Sequence, residues 1–505
     1  YLVNYRYSTI GLLQSMGVEV SDETINFQDL SFHIALPGKN SMEWSVFGLI
    51  GLSSEKFSAE PDSSLWENEE NRVSTNFTSN MGALGITNKI NLKRNTSLRT
   101  VAAVSAIQTE REASFMDDSY TSVPYQNDRY DHGMFTINST ISSKTKKGNG
   151  LSAGLIYNRV FFDLLSEEAL SLNGNFSRLM GSTGGYNVFK AFGEWSANLG
   201  TNFRAQAGLH TLYFDLNDDV SLEPRAGIEY FISSRSTFSF SYGLTSQSHF
   251  PQVYFVTDQE QNYPNSDLGL ARSHQFNISY AYNINPFTLI KLESYYQKHF
   301  NVPVSSNPSS SFSLLNAVDA FIEEELINEG EGENKGVELL LNRSFRNGYY
   351  FLLSSALFDS RYTSPDGTKR STRYDGDYAF SFTGGKEFQL LNKGKNRLFG
   401  INVRAFWQGG YRHTPIDIEA SQAAGKTVFV ESEAFSLQYK DFFRTDLRLY
   451  FKKNKKNYTR TLSFDIQNLT NQKNISFEYY DTYLDKIVTK KQLGLIPFIT
   501  YRIEF

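Results

Sequence analysis

Apolar and polar side chains alternate with period 2 along most of the chain. Phe238, Phe240, Tyr242 and Leu244 are interleaved with Thr237, Ser239, Ser241 and Gly243; Phe276, Ile278, Tyr280 and Tyr282 are interleaved with Gln275, Asn277, Ser279 and Asn283. The final residues repeat the pattern, with Ile499, Tyr501, Ile503 and Phe505 set against Thr500, Arg502 and Glu504. Successive side chains of a strand point to opposite faces, so each segment predicts a strand with one apolar and one polar face. No segment sustains an amphipathic helix of ordinary length. The pattern predicts twenty strands, over about 1–9, 28–37, 41–53, 79–94, 97–111, 131–144, 148–161, 185–198, 201–214, 220–232, 235–249, 269–283, 286–301, 332–345, 348–362, 373–390, 394–409, 438–453, 458–468 and 494–505.

The connections alternate between short and long. Tight turns rich in Gly, Asn and Ser fall at Pro37-Gly38-Lys39-Asn40, Arg94-Asn95-Thr96, Lys146-Lys147-Gly148-Asn149, Ser233-Ser234, Asn283 to Pro286, Arg346-Asn347-Gly348, Asn392-Lys393-Gly394-Lys395 and Lys453 to Asn457, which is hairpin chemistry. The intervening loops, about 54–78, 112–130, 162–184, 250–268, 302–331 and 410–437, are several times longer, although 215–219 is brief. Short connections at one end of a sheet and long ones at the other are the mark of an outer-membrane barrel, with short periplasmic turns and long extracellular loops. The expected fold is therefore all-β: a transmembrane, antiparallel up-and-down β-barrel. Its apolar face meets lipid, and its polar face lines water, a plug or a substrate path.

Composition agrees with that picture. The chain has 505 residues, 30 Tyr and 41 Phe but only 12 Pro, an aromatic-rich balance suited to a large β protein. It has no cysteine, which removes disulfides, thiol nucleophiles and Cys-based metal sites. A net charge of -5 argues against a nucleic-acid partner. The longest run without a polar residue, Val46 to Leu52, falls far short of the roughly 18 apolar residues of a spanning helix. Several turns are basic (Lys144, Lys146, Lys147; Lys393, Lys395, Arg397; Lys452, Lys453, Lys455, Lys456), whereas long loops hold Glu67, Glu69 and Glu70, and Glu323, Glu324 and Glu325.

Five elements carry a resemblance to a known family. They are Tyr1-Leu-Val-Asn-Tyr-Arg-Tyr-Ser8 with Gln28-Asp-Leu-Ser31; Asn334-Lys-Gly-Val-Glu338; Tyr439-Lys-Asp-Phe-Phe-Arg-Thr-Asp446; Asp465-Ile-Gln-Asn-Leu-Thr-Asn471; and Gly494 to Phe505. In this order they resemble the barrel of TonB-dependent outer-membrane receptors, most closely those whose precursors carry a small carboxypeptidase-regulatory-like domain ahead of a plug. The resemblance implies a barrel of twenty-two strands, so residues 1–505 are expected to be a single barrel domain lacking the first two strands, the plug and the TonB box. It also implies energised uptake of a scarce nutrient (a siderophore, metal complex, peptide or glycan) across the outer membrane of a Gram-negative bacterium. The implied partners are outer-membrane lipid and lipopolysaccharide, the TonB complex through the plug, and the assembly machinery that reads a terminal strand ending in Phe505. Two other roles stay open: a structural subunit of a larger outer-membrane complex gripping a lipoprotein, and a plugless pore.

Candidate chemistry is sparse. The histidines His33, His132, His210, His249, His274, His299 and His413 show no i, i+2 or i, i+4 pair, so no metal site is expected. Ala423-Ala-Gly-Lys-Thr427 imitates the end of a phosphate loop, but Ala420 stands where the first Gly is required and no helix follows. The stretch Glu323 to Glu333 lacks calcium-loop spacing. No catalytic set is assembled, no cofactor is expected, and the ligand-binding residues are not specified. Tyr501 and Phe505 are expected in interfacial girdles; Tyr254, Phe255 and Tyr263, beside His249-Phe250-Pro251, are packing rings or ligand contacts at the extracellular mouth.

Overall fold

A computed structural model describes residues 1–7, 24–38, 41–145, 147–169, 175–258, 260, 262–318, 322, 324–392 and 395–504. Ser8, Lys39, Asn40, Lys146, Glu323, Lys393, Gly394 and Phe505 lie outside the described residues. Twenty long strands form one sheet: β1 Leu2–Tyr7, β2 Thr24–Pro37, β3 Met42–Phe57, β4 Val73–Lys93, β5 Thr96–Met116, β6 Ser122–Lys144 and β7 Gly150–Ala169. They continue as β8 Phe176–Leu199, β9 Phe203–Phe214, β10 Asp219–Ser233, β11 Ser236–Gln247, β12 Ala271–Asn285, β13 Thr288–Ser305 and β14 Leu326–Arg346. The last six are β15 Tyr349–Thr363, β16 Tyr378–Asn392, β17 Lys395–Gln408, β18 Phe442–Asn454, β19 Thr459–Gln467 and β20 Ile496–Glu504. A three-residue strand, Lys369–Ser371, is added beside β15. Every long strand pairs antiparallel with its sequence neighbour, and among the described residues no ladder joins β1 to β20.

All connections that leave odd-numbered strands lie at one end of the sheet and all that leave even-numbered strands at the other. The second end holds only tight turns. At the β14–β15 turn both Asn347 (φ 55°) and Gly348 (φ 80°) are left-handed, the two-residue arrangement whose twist matches the strands it joins.

The register sorts the side chains into two faces. Ile34, Val46, Ile86, Ala102, Ile137, Tyr157, Phe189 and Tyr213 stand in one row on the outer face. Nearer the turn end, Phe203, Tyr230, Phe238, Tyr280 and Leu292 form a second row, and Phe388, Phe399, Phe451, Leu462 and Tyr501 a third. Phe203 stacks on Tyr230 at 4.7 Å, and Phe399 meets Phe451 at 4.9 Å. Outward rows rich in aromatic and aliphatic side chains suit the lipid-facing surface of a membrane barrel, and Tyr501 stands in one of them.

Two features differ from the sequence pattern. First, β4 to β8 run 20 to 24 residues, well past the apolar alternation, so the connection expected at 112–130 shrinks to 117–121. There the ladder is carried by polar cross-strand pairs, Arg111 with Asp128 (2.9 Å) and Arg129 with Asp163 (2.9 Å), which leave no hydropathy period to read. Second, the inner face of β3 to β6 carries an apolar patch: Leu49, Met81, Ile107 and Met134 all point inward and remain exposed.

The buried core lies at the loop end. Tyr130, Phe162, Leu164, Met180, Tyr186, Val188, Leu212 and Phe214 of β6 to β9 are covered by Val253, Tyr254, Val256, Leu268 and Leu270 of the β11–β12 loop and by Ile322 and Leu326 before and at the start of β14. Each fully buried side chain of this size contributes roughly 1.5–3 kcal/mol, so these loops are fixed parts of the fold.

Candidate functional site

The long connections converge over the inner face at the loop end and leave two cavities. The β11–β12 loop is held first by a single helical turn, Pro251–Tyr254, and then by a bridge from Val256 to Met180 of β8. Thr257 Oγ1 donates to Leu179 O at 2.8 Å and Tyr263 Oη to Gly181 O at 3.0 Å. Tyr254 is fully buried, packs 5.4 Å from Phe214, and its hydroxyl accepts the His249 N–H at 3.0 Å. Phe255 packs between Phe162 (4.5 Å) and Tyr263 (5.4 Å). Of the two sequence readings for this aromatic group, packing is therefore the one the geometry supports.

The first cavity, of about 500 Å3, lies between β11, β12, β13 and two loops. Its polar wall holds Thr245, Ser273, Gln275 and His299, its apolar wall Val253, Val302, Leu314 and Ile322. Ser273 is buried and its hydroxyl has no hydrogen-bond partner. His249 Nε2 lies 3.1 Å from Gly269 O; burial pushes its pKa down to about 4, against that carbonyl's weaker upward pull, so the ring is neutral at ordinary pH. A hydrogen-bonded ladder crosses the inner wall beneath: Asn334 Nδ2 donates to Gln297 (3.2 Å), Ser360 Oγ to Asn334 Oδ1 (2.6 Å) and Thr372 Oγ1 to Ser360 (2.7 Å).

The second cavity, of about 290 Å3, lies where the β13–β14, β15–β16, β17–β18 and β19–β20 loops meet. Tyr411, Phe429 and Phe477 line it with rings that stay 43 to 46 % exposed. His413 stacks on Tyr439 with centroids 3.8 Å apart and planes at 5°; burial lowers the His413 pKa and raises that of Tyr439, so both are neutral. Three carboxylates stand in the wall, each already in a hydrogen bond: Glu431 accepts from Ser311 N and Oγ (2.9 and 2.6 Å), Glu324 from Ser310 Oγ (3.2 Å) and Glu478 from Thr489 Oγ1 (3.0 Å). Arg412 lies 3.7 Å from Asp375 and 3.5 Å from Asp377. Asn316 is buried; its Oδ1 accepts the Arg373 N–H at 2.9 Å, while its Nδ2 has no partner.

The other residues considered from sequence scatter. His210 Nδ1 meets Glu223 Oε2 at 2.8 Å on the inner wall, whereas His274 Nδ1 meets Tyr242 Oη at 3.0 Å. Among the described residues no three metal-type ligands come together. In the Ala423 to Thr427 segment, Ala424 ends the short helix Ile418–Ala424 and Gly425 is its left-handed cap (φ 63°), so the glycine closes a helix instead of opening one around a phosphate. Asn316 and Phe477 had no signal in the sequence, because loop residues have no periodicity to mark which way they point, and Ser273 of β12 was legible only as a polar position of a strand.

A family model described as TonB dependent receptor-like, beta-barrel, matches residues 12–469. The fold is shared with the ferric-catecholate import receptor Fiu of E. coli K12, at a TM-score of 0.67 and 9 % identity over 95 % of this chain and 74 % of that one. The ferric yersiniabactin uptake receptor FyuA of Yersinia pestis gives 0.68 and 11 % over 96 % and 71 %. Pyoverdine-bound FpvA of Pseudomonas aeruginosa PAO1 gives 0.68 and 9 % over 96 % and 72 %. No curated protein sequence matches.

Proposed function

Because the chain belongs to the TonB-dependent receptor-like β-barrel family, a family of receptors and not of enzymes, we propose that it is the barrel of an outer-membrane receptor that imports a scarce nutrient. One observation carries the reading: among the described residues the long connections gather at one end and leave two lined cavities over the inner face, while the connections at the other end are short turns. That is a device for capture from one side of a membrane. Ligand-binding pockets pair an apolar lining with a few placed polar groups, and both cavities do so.

The inward apolar patch of Leu49, Met81, Ile107 and Met134 supports a plug seated against β3 to β6, since exposed apolar surface of this kind marks a covered interface. Among the described residues no ladder joins β1 to β20, which supports two further strands between them. TonB would act on that plug, and the outward rows would meet outer-membrane lipid and lipopolysaccharide.

Uptake by the native host, with and without the gene and with and without a protonophore, tests the reading. The compounds to offer are a labelled ferric catecholate, a corrinoid, an oligopeptide and a neutral oligosaccharide. The receptor account predicts that one of them accumulates only when the protein and an energised membrane are both present. Equal accumulation of all four with and without the gene, together with loss of a larger outer-membrane complex in the deletion strain, would replace it with the structural-subunit role.

A further inference from the structure

We infer that the second cavity is a subsite for a neutral, hydroxyl-rich ring, one end of a short glycan, held against the exposed faces of Tyr411, Phe429 and Phe477 and by the unpartnered amide of Asn316. The inference rests on the receptor reading and names the ligand chemistry of this one cavity.

Four observations point the same way. Three of the aromatic residues that line the cavity keep much of their surface bare, at 44, 46 and 43 % exposure for Tyr411, Phe429 and Phe477, whereas Tyr254 and Tyr362 at the same end are buried. A ring face with an apolar body suits the C–H face of a sugar.

Asn316 is anchored through Oδ1 to Arg373 N and through its own N–H to Ser313 O at 2.9 Å. Its amide is therefore held in place on a residue that lines the cavity, and Nδ2, with its two donors, is buried without a partner. A buried donor left unpaired costs roughly 1–3 kcal/mol, a penalty that a ligand acceptor would remove.

The carboxylates of the wall and one of its two arginines, Arg412 but not Arg373, are engaged among the described residues. Glu431, Glu324 and Glu478 each accept from a serine or threonine hydroxyl, and Arg412 faces Asp375 and Asp377. Engaged carboxylates keep free lone pairs, which accept from hydroxyl donors, but the wall has no surplus of cations. A ferric catecholate, which is strongly anionic, would meet three carboxylates against two arginines, one of them already facing Asp375 and Asp377, and would desolvate the carboxylates at a cost.

The neutral stacked pair of His413 and Tyr439, with Glu478 N donating to Tyr439 Oη at 3.1 Å, adds a further uncharged wall. At about 290 Å3 the space lies just under the roughly 300–1,000 Å3 of whole-ligand pockets. It suits one ring of a longer ligand whose remainder extends into solvent.

The test uses the full-length protein in detergent and measures binding of a panel of neutral oligosaccharides, a ferric catecholate and an uncharged tripeptide by calorimetry. Two variants accompany it: Phe477→Ala, which removes a bare ring, and Asn316→Asp, which keeps the acceptor for Arg373 N and removes the two free donors. The expected result is binding of at least one oligosaccharide, weakened tenfold or more by each variant with an unchanged melting temperature. Absence of oligosaccharide binding overturns the inference, as does oligosaccharide binding that neither variant weakens. Catecholate or tripeptide binding without oligosaccharide binding leaves the receptor reading standing and removes only the glycan subsite. Loss of the receptor reading itself is seen separately, in the whole-cell uptake experiment.

Discussion

Glu69 donates its backbone N–H to the carboxylate of Asp481 at 3.0 Å, across 412 residues of sequence. Asp481 is fully buried and also accepts from Leu484 N at 2.9 Å and from Tyr479 Oη at 3.4 Å. Around it Thr482 N donates to Glu69 Oε2 at 3.3 Å, Lys490 pairs with Glu70, and Trp66 meets Tyr483 edge to face at 6.2 Å. The β19–β20 loop is thereby clasped to the β3–β4 loop, on the side of the sheet where, among the described residues, no ladder joins β1 to β20.

Replacing Asp481 with alanine leaves the Glu69 and Leu484 amides without their acceptor, at a local cost of about 1–3 kcal/mol. Within the β19–β20 loop Ile475–Asp481 pairs antiparallel with Lys486–Lys491; amide exchange in this hairpin should accelerate roughly five- to 150-fold, while exchange in β4 to β8 stays unchanged. Hydrogen exchange read by mass spectrometry checks both halves of this expectation.

The β11–β12 loop depends on Tyr254 in the same way. Tyr254→Ala deletes a fully buried ring, which costs about 3–5 kcal/mol for side chains of this size, and removes the acceptor of the His249 N–H. Limited proteolysis of the variant should cut within 248–270 under conditions that leave the parent intact.

His249 makes that loop sensitive to acid. Its folded-state pKa, lowered to about 4 by burial, lies below the ordinary value near 6.5. The unfolded loop therefore takes up a proton that the folded loop refuses. Stability is complete above about pH 6.5 and declines as the pH falls from there towards 4. Protease sensitivity of 248–270 should rise over that window, and His249→Gln should flatten the dependence.

The two faces differ at adjacent positions of β12. Ile278 faces outward and Asn277 inward, where it bonds Glu293. Ile278→Arg places a charge in lipid, at about 2–4 kcal/mol if it lies near the midplane, whereas Asn277→Arg faces the lumen beside a carboxylate. The heat-modifiable gel shift of the folded barrel should weaken for the first and persist for the second.

Much of this was legible in the sequence wherever a side chain's surroundings repeat. Period 2 located all twenty strands, because lipid on one face and lumen on the other impose an alternation that extends through Phe276 to Tyr282 and Ile499 to Ile503. It stopped short in β4 to β8, where Arg111, Asp128, Arg129 and Asp163 hold the ladder above the membrane and both faces are wet. The site was not legible. Tyr254 and Tyr411 are both loop tyrosines, yet one is fully buried and the other 44 % exposed over a cavity. That difference is set by which loops meet, through contacts such as Ser311 to Glu431, 120 residues apart, and not by local pattern.

Single-cysteine labelling reads directly whether this is a membrane barrel with its loops outside the cell, because the chain has no cysteine of its own. Ser119→Cys places a thiol in the exposed β5–β6 loop and Lys456→Cys in the exposed β18–β19 turn. With a membrane-impermeant maleimide on intact cells, the account predicts labelling at 119 at once and at 456 only after the outer membrane is permeabilised. Equal labelling of both positions in intact cells, or labelling of 456 alone, would contradict it.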